Sequence, residues 1–169
     1  MGDVILVDEQ DRELGTCEKL SAHQKGILHR AFSVFIFNRN GDLLLQQRAM
    51  SKYHCPGLWT NTCCSHPRPG ETIDEAAHRR LREEMGFDCD LTNVFSFVYK
   101  IPVPPDLIEH EVDHVLVGEY NGKVVPVPEE VTDVKWVKMR ALQNDIALHP
   151  ALYTPWFKII LQQYVHKIQ

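Results

Sequence analysis

A mixed β-sheet with helices packed on it, an α/β or α+β sandwich, is the architecture that this sequence predicts. Three observations carry the reading. Strand-like runs outnumber helical ones, the helical stretches fall both mid-chain and at the end, and no repeat, linker or low-complexity segment divides the 169 residues. A chain of this length can bury one real core, so a single domain over 1–169 is expected. Hydrophobic residues at 44% and charged residues at 24% exclude a disordered or fibrous chain.

Taken in order, Val4 to Val7 reads as a strand closed by the polar turn Asp8-Glu9-Gln10-Asp11. The runs Ala31 to Phe37 and Leu43 to Arg48 flank Asn38-Arg39-Asn40-Gly41-Asp42, which predicts a β-hairpin turning at Asn-Gly. The stretch from Pro56 to Gly70 is punctuated by Gly and Pro and lacks periodicity. Thr72-Ile73-Asp74-Glu75 then supplies a capping box and Gly86 a stop, predicting a helix over 73 to 85. Strands are expected over 94–100, 111–120, 123–127 and 134–137, and helices over 139–147 and 155–168.

With 18 basic against 23 acidic residues the net charge is −5, so no bulk attraction to nucleic acid or an anionic membrane is expected. Any positive charge that matters must be local. The start Met1-Gly2-Asp3 leads into an apolar run too short and too acid-flanked for a signal peptide, and nothing approaches a membrane span. Five cysteines without a framework spacing suggest reduced thiols and a cytoplasmic setting.

On a helical wheel at about 100° per residue, Ile73, Ala76, Ala77 and Leu81 share one face, and Arg80 and Glu84 fall in the middle of it. A charged pair at this spacing is ordinarily a solvated pair, but the polar side is already filled by Arg79, Arg82 and Glu75. Charges on a core face are costly unless something binds them. Glu84 is therefore a candidate cation ligand and Arg80 a candidate phosphate ligand. His23, His29 and His66 lie in turn-rich sequence expected to be non-helical, and Glu109 and Glu111 alternate along a strand and so point to one face. Three imidazoles and two carboxylates suit a borderline divalent metal such as zinc, manganese or iron. Cys63 and Cys64 are adjacent, so only one can face a given site. Two buried small residues are the ordinary outcome, but the polar neighbourhood Thr60-Asn61-Thr62 and Ser65-His66-Pro67 would let a nearby cation ionise a thiol.

Read as one block, Glu71, Arg79, Leu81, Glu83, Glu84, Gly86 and Phe87 fall at the spacing of the Nudix box, G-x5-E-x7-R-E-U-x-E-E-x-G-U. Ser65 stands at the first Gly, and Arg80 stands where Nudix hydrolases carry a magnesium-binding glutamate. With Ser51-Lys52, the run from Pro56 to Pro67 and Glu109-His110-Glu111, the chain resembles the type I isopentenyl-diphosphate isomerases, a non-hydrolysing branch of the Nudix fold. The likeness runs over nearly the whole chain. It implies a Nudix-like α/β/α sandwich and the interconversion of isopentenyl and dimethylallyl diphosphate, in isoprenoid biosynthesis, through a tertiary carbocation.

By position, the resemblance assigns one divalent metal, Mn2+ or Zn2+, to His23, His29, His66, Glu109 and Glu111. A Mg2+ that also touches the diphosphate falls to Glu84 and the carbonyl of Cys64. Lys19, Arg48, Lys52 and Arg80 would clamp the diphosphate. Glu111 with Tyr99 takes the proton-donating side and Cys64 the opposite face as base, its thiol expected to be lowered by nearby cations. Trp156 would face the carbocation, in a last helix able to act as part of a lid. A monomer acting on a small molecule is expected. The rivals are a Nudix hydrolase of nucleoside diphosphate derivatives, disfavoured by Arg80, and a silent metal-stabilised binding domain, which would leave Cys64 idle.

Overall fold

The computed structural model of the protein describes residues 2–169. In chain order the first half holds β1 (Asp3–Val7), β2 (Glu13–Glu18), α1 (Lys19–Lys25), β3 (His29–Phe37), β4 (Leu43–Arg48), β5 (Trp59–Thr60), β6 (Cys63–Ser65) and α2 (Ile73–Met85). There follow β7 (Leu91–Val103), β8 (Leu107–Glu119), β9 (Val131–Val137), α3 (Met139–Leu148), α4 (Pro155–Gln163) and α5 (Val165–Ile168). All nine strands join one mixed sheet, with β3 at its centre. β3 runs parallel to β8 and antiparallel to β6, and β7 lies antiparallel beyond β8.

Alternation along β3 divides the core into two layers. Phe32, Val34 and Ile36 pack with Ala76, Ala77, Leu81 and Met85 of α2. Phe35 on the other face joins Leu43 and Leu45 of β4 and Phe157 and Ile160 of α4. The result is the expected α/β/α sandwich. Helix α2 has the bounds read from sequence: Thr72 Oγ1 accepts from the Glu75 N–H, the Glu75 carboxylate accepts from the Thr72 N–H, and Gly86 closes the helix in the left-handed region at φ 71.

Four expectations are corrected. The β3–β4 hairpin pairs only at Phe37 and Leu43, because the 61–62 segment wedges the strands apart. There the Thr62 hydroxyl accepts from Ile36 N–H at 3.0 Å and donates to Leu44 O at 2.7 Å, bridging the gap in one residue. Residues 123–127 form no strand, since Pro126 and Pro128 remove the donors a ladder needs. Instead Val125 and Val127 give their N–H groups to the carbonyls of Met85 and Glu84, tying this segment to the end of α2. The helix expected over 155–168 breaks at Tyr164, whose ring packs on Phe95 and Phe97 of β7. Finally, His23 is helical and His29 opens a strand; only His66 lies in irregular chain. Among the described residues no helix is long and apolar enough to cross a membrane.

Candidate active site

Strand register assembles the site. Glu111 of β8 is the partner of His29 on β3 and of Tyr99 on β7, so three side chains form one row across three strands. Glu109 stands one alternation earlier on the same face. Helix α1, capped by the Glu18 carboxylate on the N–H groups of Leu20 and Ser21, delivers His23 from above the sheet end. His66 follows directly on β6. The ring nitrogens of His23, His29 and His66 lie within 4.8 Å of one another, and His29, Glu109 and Glu111 form an overlapping trio within the same limit.

The backbone fixes which ring nitrogens of this cluster face inward. His23 Nδ1 donates to Lys19 O at 2.7 Å and His29 Nδ1 to Ile27 O at 2.8 Å, so in the neutral rings each Nε2 carries a lone pair. Those lone pairs face carboxylate oxygens, His23 Nε2 to Glu109 Oε2 at 3.4 Å and His29 Nε2 to Glu111 Oε2 at 3.3 Å. Both nitrogens and Glu109 Oε2 are buried without a hydrogen-bond partner. Acceptors aimed at acceptors in a dry pocket fit a divalent cation, with the backbone carbonyls fixing the imidazole tautomers. Burial, reinforced by the Glu111 charge, pushes Glu109 up to about 7. Glu111, despite its own burial, is held well below the usual carboxylate range by the His66 and His29 imidazoles. Glu111 thus accepts the Tyr99 hydroxyl hydrogen as a carboxylate.

Beside the cluster opens a cavity of ≈ 440 Å³, which Lys19, Arg48, Lys52 and Arg80 all line. Burial lowers the Lys19 ammonium from its ordinary value, and the nearby charges of Lys52, Arg48 and Arg80 lower it further. Four cations converging on one partly dry space call for an anion. Arg48 is anchored through Nε to Cys55 O at 3.2 Å and through Nη2 to His54 O at 3.1 Å. On α2, Arg80 and Glu84 meet as the wheel indicated: Arg80 Nη2 donates to Glu84 Oε1 at 2.5 Å, and Gln46 Nε2 donates to Glu84 Oε2 at 2.8 Å.

Cys63 points into the α2 layer and Cys64 into the cavity, as adjacency required. The Cys64 thiol donates to Asn61 Oδ1 at 3.0 Å and its sulfur accepts the Trp156 indole N–H at 3.2 Å. Burial, with the charge of Asp113, pushes this thiol up to about 12 despite its hydrogen bonds with Ser33, Asn61 and Trp156. In the metal-free chain the thiol is thus raised rather than lowered, and the charge that acts on it is the Asp113 carboxylate.

Similarity to known proteins agrees with this geometry. Residues 27–157 match the NUDIX domain family model. Isopentenyl-diphosphate Delta-isomerase 2 of Photorhabdus laumondii is 53% identical over 94% of this chain and 89% of its own. Isopentenyl-diphosphate Delta-isomerase 2 of Aromatoleum aromaticum is 51% identical over 96% of this chain and 86% of its own. This chain belongs to the isopentenyl-diphosphate Delta-isomerase family. A crystal structure from Deinococcus radiodurans superposes with a TM-score of 0.78 over 96% of this chain and 99% of that one at 20% identity, which speaks to the fold alone.

Three residues around this isopentenyl-diphosphate Delta-isomerase site escaped the sequence reading. His54 is buried and its Nε2 lies 2.6 Å from Glu109 Oε1, against the cluster. Asp113 continues the 109–111 alternation and accepts the Ser33 hydroxyl at 2.8 Å; one more step along the strand would have found it. Glu130 reaches the cavity from the loop before β9.

Proposed function

We propose that this chain interconverts isopentenyl diphosphate and dimethylallyl diphosphate. The observation that carries the reading is the placing, in one cavity, of a Tyr99–Glu111 pair on β7 and β8 and a Cys64–Trp156 pair on β6 and α4. β3 runs between β8 and β6, so Glu111 and Cys64 are offered from opposite sides of it, Glu111 opposite His29 and Cys64 opposite Ser33 farther along the strand.

Shifting the double bond needs a proton added to the terminal alkene carbon and another removed two carbons away. The Tyr99 hydroxyl and Glu111 share the proton that is delivered, leaving a tertiary carbocation at the branched carbon. Cys64, as thiolate, takes the proton from the carbon beside the diphosphate-bearing one, and the electron pair of that C–H bond becomes the new double bond. Trp156 would both solvate the sulfur of the thiolate through its N–H and offer an aromatic ring to the cation. Buried Tyr153, Phe157 and Ile160 share a core layer with Trp156, the apolar setting that such a cation needs.

Lys19, Arg48, Lys52 and Arg80 hold the diphosphate. Mg2+ held by Glu84 and the Cys64 carbonyl would neutralise phosphate charge, and Mn2+ or Zn2+ held by His23, His29, His66, Glu109 and Glu111 would withdraw charge from Glu111 and sharpen its acid partner. The protein is proposed to act as a cytoplasmic monomer. One chain supplies every group named, and its five cysteines are free, as suits a reducing compartment. A hydrolase reading is disfavoured by Arg80, which replaces a metal-binding carboxylate with a guanidinium.

Incubation with isopentenyl diphosphate and a divalent metal in deuterated water tests the proposal. Dimethylallyl diphosphate carrying solvent deuterium is expected. Release of phosphate, or recovery of unlabelled substrate, would overturn it.

A further inference from the structure

The diphosphate clamp already holds an anion of its own. The Glu130 carboxylate pairs with the Lys52 ammonium and, at 3.2 Å, with Arg80 Nη2. Its backbone is fixed on both sides: Glu130 N–H donates to Val127 O, and Glu130 O accepts from Ala49 N–H, at the root of the loop that carries Lys52. Glu130 lines the cavity with all four clamp cations, and its acidity is raised by Lys52 and Arg80 against its partial burial. A carboxylate thus bridges two of the four groups that the proposed function assigns to the diphosphate, and the following inference rests on that assignment.

We propose that Glu130 is an internal competitor of the substrate's diphosphate, which must displace it from Lys52 and Arg80 to bind. Before binding, it relieves repulsion within the clamp and keeps both side chains aimed at the cavity. A single phosphate reaching only Lys52 and Arg80 exchanges one anion for another and gains little. A diphosphate also reaches Lys19 and Arg48, so its gain exceeds the loss of the Glu130 contacts. On product release the carboxylate returns, which speeds departure.

The test is calorimetric titration of the Mg2+-loaded full chain with pyrophosphate and with inorganic phosphate, for the wild type and Glu130→Gln. Removing the competing charge is expected to tighten pyrophosphate binding by about tenfold and to make inorganic phosphate binding measurable, the scale of one charge-assisted contact. A merely structural role has the opposite sign: Lys52 and Arg80 would lose their alignment, and both anions would bind more weakly. Weaker or unchanged binding in a variant with wild-type thermal stability overturns the inference. Should Glu130→Gln fail to fold, Glu130→Asp, too short to bridge both cations, is expected to tighten binding by a smaller factor, and unchanged or weaker binding there overturns the inference equally. A wild type that binds no pyrophosphate would instead overturn the clamp assignment itself.

Discussion

The indole N–H of Trp156 points at the Cys64 sulfur across 3.2 Å, so in the proposed mechanism one residue would offer the base a hydrogen bond and the cation an aromatic ring. These two services are separable. Trp156→Phe keeps a ring and removes the donor to the thiolate, and kcat is expected to fall about tenfold with KM little changed, the worth of one hydrogen bond to a charged group. Cys64→Ala should abolish conversion while the metal content stays that of the wild type. Steady-state kinetics with elemental analysis check both, and a Cys64→Ala protein of full activity would remove Cys64 from the mechanism.

Tyr99 has one polar contact at the site, its hydroxyl on Glu111. Tyr99→Phe should therefore lower kcat by roughly a hundredfold, the scale of a lost general acid, and leave metal binding and the fold intact. Unaltered kcat would move the proton-donating role to Glu111 alone.

Much of this site was legible in the sequence, and what was missed has a common cause. α2 could be bounded because its start and stop are local chemistry, Thr72 with Glu75 and then Gly86. Glu109 and Glu111 could be put on one face because strand alternation needs only neighbours. By contrast, α1 spans seven residues, too few for a period to show, so His23 read as irregular. The separation of β3 from β4 depends on Thr62, an insertion from elsewhere in the chain that no hairpin signal contains. His54 and Glu130 act through partners 55 and 78 or fewer residues away, Glu109 and Lys52, and a lone His or Glu in a loop carries no mark of such a pairing.

Alkaline pH should destabilise the metal-free protein. Burial is the first cause pushing up Cys55 to about 11, Cys64 to about 12, Cys63 well above its ordinary value, and half-exposed Cys89 to about 11 by burial and its acidic neighbours. An unfolded thiol titrates near 9.0, so between there and the folded values the native state holds more protons than the unfolded one. Stability is then full below pH 9 and falls as pH rises toward 11–12. Melting temperatures taken from pH 8 upward should show that decline, and Cys64→Ser should make it shallower. An identical slope in the variant would mean that Cys64 is not among the groups responsible.

Chelation should separate activity from fold. With the cation withdrawn, His23 Nε2, His29 Nε2 and Glu109 Oε2 lack a partner, yet the two core layers on either side of β3 are untouched. Turnover is expected to vanish, far-ultraviolet circular dichroism to persist, and the melting temperature to rise again with added metal as binding to the native state alone requires. Loss of the dichroism signal together with activity would favour a structural metal instead.

Arg80→Glu restores the carboxylate of the hydrolase box, and the structure shows why that exchange would not be silent. Arg80 neutralises Glu84, which is 4% exposed, and also contacts Glu83 and Glu130. A glutamate there gathers four carboxylates around α2 and leaves Glu84 buried opposite a like charge, a loss on the order of 3–5 kcal/mol when one partner of a buried pair is removed. Mg2+ would relieve it. The variant should therefore melt well below the wild type without magnesium and regain much of that loss when magnesium is added, a dependence much weaker in the wild type. Pyrophosphate affinity should fall by at least about a hundredfold in either condition, because a bidentate cation is replaced by an anion in the clamp. A variant that melts like the wild type without magnesium would show that Glu84 does not depend on Arg80 for its charge balance.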